Sequence, residues 1–156
     1  MKANCPGCTV KVLQQALPDV AAGKAPSTIV SGLRTDPGAK YVILGNIVET
    51  AGLSSALKAA GQSGLKIAGF DAGATDQTAV KQGAEAAVIP FPLTIGAWQV
   101  VDAALRYSEG MKVTASPATF QLLTASSMAS AGVQPSDAYP YPANYQTIFK
   151  QLWKVS

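Results

Sequence analysis

Along the middle of the chain, short apolar runs alternate with amphipathic segments, and each run stops at a residue of different character. Tyr41-Val42-Ile43-Leu44-Gly45 ends at Asn46, Leu65-Lys66-Ile67-Ala68-Gly69-Phe70 at Asp71, and Ala86-Ala87-Val88-Ile89 at Pro90-Phe91. Runs this short, bounded by turn residues, read as buried strands, and the segments between them carry helical spacing. Strands that alternate with helices predict an α/β fold, a Rossmann-like parallel sheet flanked by helices. In such sheets ligands bind just beyond the carboxyl ends of the strands. Asn46, Asp71 and Phe91 are therefore the candidate ligand-binding residues, two hydrogen-bonding side chains and an aromatic face suited to a sugar.

The remaining pattern supplies further elements. Thr9 to Gln14 alternates with β-branched residues and predicts a strand, broken by Leu17-Pro18-Asp19. Lys24 to Thr35 predicts a helix with Ile29, Val30 and Leu33 on one face, stopped by Asp36-Pro37-Gly38. Ala51 to Ala60 predicts a helix with Leu53 and Leu57 at i,i+4 spacing and Gly61 after its end. Thr75 or Asp76 can cap a short helix running to about Gln82. Thr94 to Tyr107 predicts the longest helix, with Ile95, Trp98, Val101 and Leu105 near one stripe, and Phe120 to Leu123 a short last strand. Ser126 to Tyr141 is small, polar and proline-bearing and reads as loop. Pro142-Ala143-Asn144 then opens a terminal helix whose apolar face is Tyr145, Ile148, Phe149 and Leu152. The α/β region is expected over 1–125, including a hinge-crossing strand and helix, with a tail and closing helix over 126–156.

Composition narrows the chemistry. The 156 residues suffice for one core, and 48% are hydrophobic with a net charge of +3. The twelve Lys and Arg are scattered, without interleaved stacking aromatics, so no nucleic-acid partner is expected. The first residues lack the apolar core of a signal peptide, and no window approaches a membrane span. There is no histidine, which removes Ser-His-Asp and Cys-His mechanisms and His-ligated metal. Two cysteines cannot complete a zinc site, and no glycine-rich phosphate loop occurs, so no cofactor and no enzymatic activity are expected.

Several pieces, in this order and spacing, resemble the ribose-type solute-binding proteins of bacterial ABC importers, the type I periplasmic binding proteins. Asp36-Pro37-Gly38-Ala39-Lys40-Tyr41-Val42 is similar to that family's helix-Pro-strand join. Asn46, with Gly52 and then Ala56-Leu57-Lys58-Ala59-Ala60-Gly61, resembles its strand-to-helix turn. Ala68-Gly69-Phe70-Asp71 resembles its Gly-Phe-Asp motif, and Ile95 to Asp102 the helix after its last ligand-contacting strand. The resemblance covers the chain from about Cys8 onward and corresponds to the C-terminal half of such a protein, an incomplete lobe lacking its opening strand and helix. It implies a sugar or similar small polar ligand in a cleft between two lobes, and a membrane permease that recognises the closed form. It also implies a periplasmic or extracellular setting, compatible with a lipid anchor on the full-length protein. A sheet without its opening strand leaves an apolar edge exposed, so the sequence is expected to be a truncated piece, a broken reading frame, or a chain that pairs with a second copy as a homodimer.

Each candidate has a plainer reading beside it. Asp71 grips hydroxyls or caps a turn, and the resemblance favours the grip. Asn46 donates and accepts to a ligand, or caps the segment after it. The family usually has an acid after this Asn, where Ile47 stands here. Phe91, where many ribose-type members carry an amide, stacks on a sugar or plugs the hinge. Val20 falls where the family often places an aromatic and cannot stack. Both departures argue against ribose itself. Glu49 and Asp19 read as solvated loop charges, Trp98 as core, and Tyr139 and Tyr141 as packing anchors for the tail. Cys5 and Cys8 read as a local disulfide, as spectator thiols, or as a Cys-x-x-Cys redox pair, though no helix is predicted behind them to activate a thiolate. Two other functions stay open: the effector lobe of a LacI-type transcription regulator, which shares this fold, and a small thiol oxidoreductase.

Overall fold

The computed structural model describes residues 3–113, 120–131 and 144–155. They form two compact units, Met1–Ala39 with Glu49–Gly64, and Lys40–Val48 with Leu65–Ser156.

The first unit is helical. Cys5 and Cys8 are joined by a disulfide across a tight turn, in which the Cys8 N–H donates to the Cys5 carbonyl at 3.1 Å. Thr9 to Gln14, expected as a strand, has no regular structure, and neither have the two residues after it. Alternating β-branched residues create a strand only where a neighbouring backbone completes a ladder. Among the described residues none does, and Val10 and Val12 are exposed. The segment is held instead by side chains: the Lys11 ammonium donates to the Gly32 carbonyl and the Thr35 hydroxyl, and Leu13 lies over Gly32. Leu17-Pro18-Asp19, expected only as a break, begins α1 (Leu17–Ala21), because a proline in the first turn has no needed N–H to lose.

Two longer helices build the rest of this unit. In α2 (Ala25–Arg34) Ala25, Ile29, Val30 and Leu33 are buried, and in α3 (Leu53–Ala59) Leu53 and Leu57 are. The two helices pack together. Gly61 ends α3 in the left-handed conformation, with φ of 69°. Its N–H bonds the Lys58 carbonyl at 3.1 Å and the next N–H, of Gln62, bonds that of Leu57 at 2.9 Å. This pair satisfies carbonyls left over at the helix end.

The second unit contains the sheet. Strands β1 (Tyr41–Leu44), β2 (Lys66–Phe70), β3 (Ala87–Ile89) and β4 (Leu123–Thr124) lie in the order β1-β2-β3-β4. The first three run parallel, with Tyr41 opposite Lys66 and Ala68 opposite Ala87, while β4 returns antiparallel with Leu123 opposite Val88. The expected α/β sheet is thus present, mostly parallel. Period-two alternation puts Ile67, Val88 and Leu123 on one face. There α4 (Ala74–Lys81) and α6 (Ala125–Ala131) cover it, and Val80 and Met128 complete a core with Ala72, Val88 and Leu123.

Helix α6 corrects the expectation of loop from Ser126. Thr124 and Ser127 cap it reciprocally: the Thr124 N–H donates to the Ser127 hydroxyl at 2.8 Å, and the Ser127 N–H to the Thr124 hydroxyl at 3.3 Å. The rest of that expected loop, with Tyr139 and Tyr141, lies outside the described residues.

Two features of this unit depart from a closed sheet. β1 is an outer strand, and on it Tyr41 and Ile43 are 70% and 69% exposed, unusual for a parallel sheet. Glu85, in the turn before β3, is only 8% exposed and its Oε2 has no hydrogen-bond partner among the described residues. Burial first, and the Asp76 charge second, push its carboxyl from the ordinary 4.5 up to about 7.

Helix α5 (Leu93–Ser108) buries Ile95 and half-buries Trp98, but Val101 and Leu105 of the expected stripe are exposed. It pairs with α7 (Tyr145–Trp153) through rings: Trp98 stacks on Trp153 at 5.3 Å and 7°, with Phe149 and Tyr145 around it. Trp98 therefore belongs to an aromatic clamp between helices. Asp102 fixes the clamp by accepting from Arg106 Nε at 2.7 Å and Trp153 Nε1 at 3.0 Å. Those two bonds, the Arg106 bond foremost, hold its carboxyl below the ordinary value.

Candidate functional site

Parallel pairing carries the residues that follow β1 and β2 to one end of the sheet. Gly45 and Asn46 continue β1, Asp71 follows β2 directly, and Phe91 comes two residues after β3. All lie in the second unit. Asn46 Nδ2 donates to Asp71 Oδ2 at 3.4 Å, and Asn46 Oδ1 accepts the Val48 N–H at 3.0 Å. The second bond is an Asx turn, which fixes the carbonyl side of the amide and aims its NH₂ at the carboxylate. The first is long for a hydrogen bond. A hydroxyl placed between these groups can accept from the amide and donate to the carboxylate in its stead.

Asp71 stands in the left-handed region, with φ of 70°. Side chains other than glycine rarely adopt it, and Asp and Asn do so most readily. The capping duty that Asp71 might have performed falls elsewhere. Asp76 Oδ2 accepts the Gly73 N–H at 2.9 Å and so closes the first turn of α4.

Phe91 is half-buried in a three-ring cluster that sequence order does not reveal. Its ring centroid lies 5.7 Å from that of Phe70 at 62°, and 6.2 Å from that of Phe120 at 22°; Phe70 and Phe120 are 5.5 Å apart at 68°. The register explains the meeting. Val88 is opposite Leu123 across an antiparallel pair, so carrying that register three residues further brings Phe91 opposite Phe120. Only the antiparallel return of β4 delivers Phe120, which is 45% exposed. The candidate site thus consists of an amide and a carboxylate at the strand ends, with the ring cluster beginning at Phe70, the residue before Asp71.

The other singled-out residues lie apart from this group. Asp19 pairs with Lys24 at 2.8 Å on the surface of the first unit, and Val20 is half-buried in α1. Glu49 is half-buried in the 3₁₀ turn Ile47–Thr50. Cys8 has no helix directly behind it, the chain staying irregular to Ala16. Among the described residues no group of three or more His, Cys, Asp or Glu could hold a metal ion, and no helix is long and apolar enough to cross a membrane. A shallow recess of about 210 Å³ does occur, lined by Ala97, Trp98, Val101 and Trp153. Its lining side chains carry no polar group but two indole N–H groups, and that of Trp153 is already bonded to Asp102.

The fold, a mostly parallel α/β sheet flanked by helices, matches half of a type I periplasmic binding protein. The structural neighbours are sugar-binding solute-binding proteins of ABC transporters, of the ribose type. One, from Agrobacterium vitis and bound with α-D-tagatopyranose, shares 26% identity over 84% of this chain and 44% of its own, with a TM-score of 0.70. A 5-methylthioribose transporter solute-binding protein from Thermotoga lettingae, in complex with 5-methylthioribose, shares 18% identity over 96% of this chain and 51% of its own, with a TM-score of 0.73. Another from Agrobacterium vitis, with bound D-fucose, shares 20% identity over 80% and 44%, with a TM-score of 0.66. The chain therefore spans about half the length of these neighbours. No family model matches the sequence, and neither does any curated protein.

Proposed function

We propose that this chain supplies one wall of the ligand cleft of an ABC-importer solute-binding protein, the C-terminal half, and that the ligand is a sugar or a similar small polar molecule. The observation that carries this is the Asn46–Asp71 pair at the ends of adjacent parallel strands, beside Phe91, in a fold shared with sugar-bound proteins. Asp71 and Asn46 grip hydroxyls through charge-assisted and donor–acceptor hydrogen bonds, and Phe91 supplies an apolar contact. No chemical step is involved. An opposing wall closes over the ligand, and a membrane permease reads the closed form outside the cytoplasm. Residues 1–125 serve as the lobe region with the hinge-crossing strand, and 126–156 as the tail and closing helix.

The exposed Tyr41 and Ile43 on the outer strand support a second element of the reading, self-association through the β1 edge. A single copy with one wall binds sugar weakly. Titration of the monomer with pentoses and hexoses is expected to give millimolar or weaker dissociation constants, lost on Asp71→Ala. Submicromolar binding by a monomer would refute the one-wall reading.

A further inference from the structure

The outer strand β1 has one hydrogen-bonding side committed and one open. The Lys66 N–H donates to the Lys40 carbonyl at 2.9 Å. Backbone groups along a strand point alternately to its two sides, so Val42 and Leu44 share the side facing β2 with that carbonyl, and the N–H and C=O groups of Tyr41 and Ile43 face outward. Among the described residues no backbone group meets them. What such an edge accepts is a second extended backbone.

The side chains indicate whose. A two-fold contact must be self-complementary, and it runs the two copies of β1 antiparallel. Centred on Val42, it sets Tyr41 opposite the partner's Ile43, and Ile43 opposite the partner's Tyr41. Both are hydrogen-bonded pairs in which each residue donates to and accepts from its opposite, so every outward group of the two residues is used. Each also places an aromatic side chain against a β-branched one, a favourable cross-strand combination, and both are largely exposed in the single copy. Centred on Ile43 instead, the contact would set Tyr41 against the partner's Gly45, which has no side chain to offer. A strand of four residues buries far less than the roughly 1,600 Å² of a standard interface, so the contact is reversible and concentration-dependent.

We infer that a second copy of this chain pairs its β1 with this β1, antiparallel and centred on Val42, joining two four-stranded sheets into one. This rests on the self-association proposed above and fixes its geometry. It also separates the candidate sites. Asn46 and Asp71 follow the carboxyl ends of β1 and β2, and antiparallel strands point those ends opposite ways. The two Asn46–Asp71 pairs therefore stand at opposite ends of the joined sheet, and the partner does not supply the opposing wall.

Light scattering over a concentration series and single cysteines provide the test. The parent chain is expected to pass from monomer to dimer as its concentration rises. In this register Val42 and the partner's Val42 form a non-hydrogen-bonded pair with Cα atoms about 4.5 Å apart, inside disulfide range. Ile43 and the partner's Ile43 are offset by two residues, which puts their Cα atoms roughly 8 Å apart and beyond it. Under mild oxidation Val42→Cys is expected to give a covalent dimer linked at position 42, read by mass spectrometry of the non-reduced peptides, and Ile43→Cys is not. Ile43→Lys places a charge on the edge and is expected to keep the chain monomeric with its circular dichroism unchanged. A dimer that links through position 43, fails to link through 42, or persists in Ile43→Lys overturns the inference and leaves self-association standing. A parent that stays monomeric overturns both.

Discussion

Glu85 puts a carboxyl where it is costly to ionise, and replacing it gives a clean measurement. The folded carboxyl holds its proton to about 7, against an ordinary value of 4.5, chiefly because it is buried. The unfolded chain gives that proton up near the lower value. Between the two the folded state binds more protons, so stability falls as pH rises across that window and levels off above it. The shift corresponds to about 2 kcal/mol once solvent screening of an incompletely enclosed group is allowed for. Glu85→Gln keeps the shape and removes the charge. Its urea-unfolding free energy relative to the parent is expected to improve by about 2 kcal/mol between about pH 4.5 and pH 8.5. Tryptophan fluorescence is the appropriate probe, because Trp98 and Trp153 belong to the same unit as Glu85. Other titrating groups are common to both proteins and cancel in the difference. A gap between variant and parent that stays constant with pH would refute the assignment of a buried, ionising Glu85.

Two further outcomes follow from packing and polar contacts. Leu123 is fully buried between the sheet and its covering helices, so Leu123→Ala is expected to cost about 2–5 kcal/mol in chemical denaturation; a loss below about 1 kcal/mol would mean that β4 does not seal this core. Asp102→Leu removes the acceptor shared by Arg106 and Trp153, and is expected to cost about 1–3 kcal/mol and shift tryptophan emission to the red as α7 loosens. Unchanged emission would show that ring stacking alone holds the clamp.

How far the sequence discloses this molecule depends on whether a signal is local. The parallel strands are legible because each is an apolar run closed by a turn residue, and their parallel pairing makes Asn46 and Asp71 neighbours as a matter of course. Thr9–Gln14 carries the same apolar alternation without forming a strand, since β-propensity describes fitness for a pleated surface and cannot supply the partner. Helix α6 is hidden by small polar residues, and its signals are the modest Thr124-x-x-Ser127 cap and one buried methionine, Met128. The Phe70–Phe91–Phe120 corner is least legible. Phe120 joins it only through the direction and register of β4, and neither is encoded near Phe120 itself.

The backbone at Asp71 also limits how this corner of the site can evolve. A left-handed φ of 70° disfavours most substitutions before any ligand is considered. Asparagine and glycine are the residues that slip in without strain. The alternatives reachable at that strand end are therefore a neutral amide or no side chain at all. On the ligand-binding reading proposed above, a change of ligand drops a charge there, or drops the contact, more readily than it installs a β-branched residue or a longer acid. On that reading, diversification of ligand chemistry is pushed onto positions with ordinary backbone, such as Phe70, directly before Asp71.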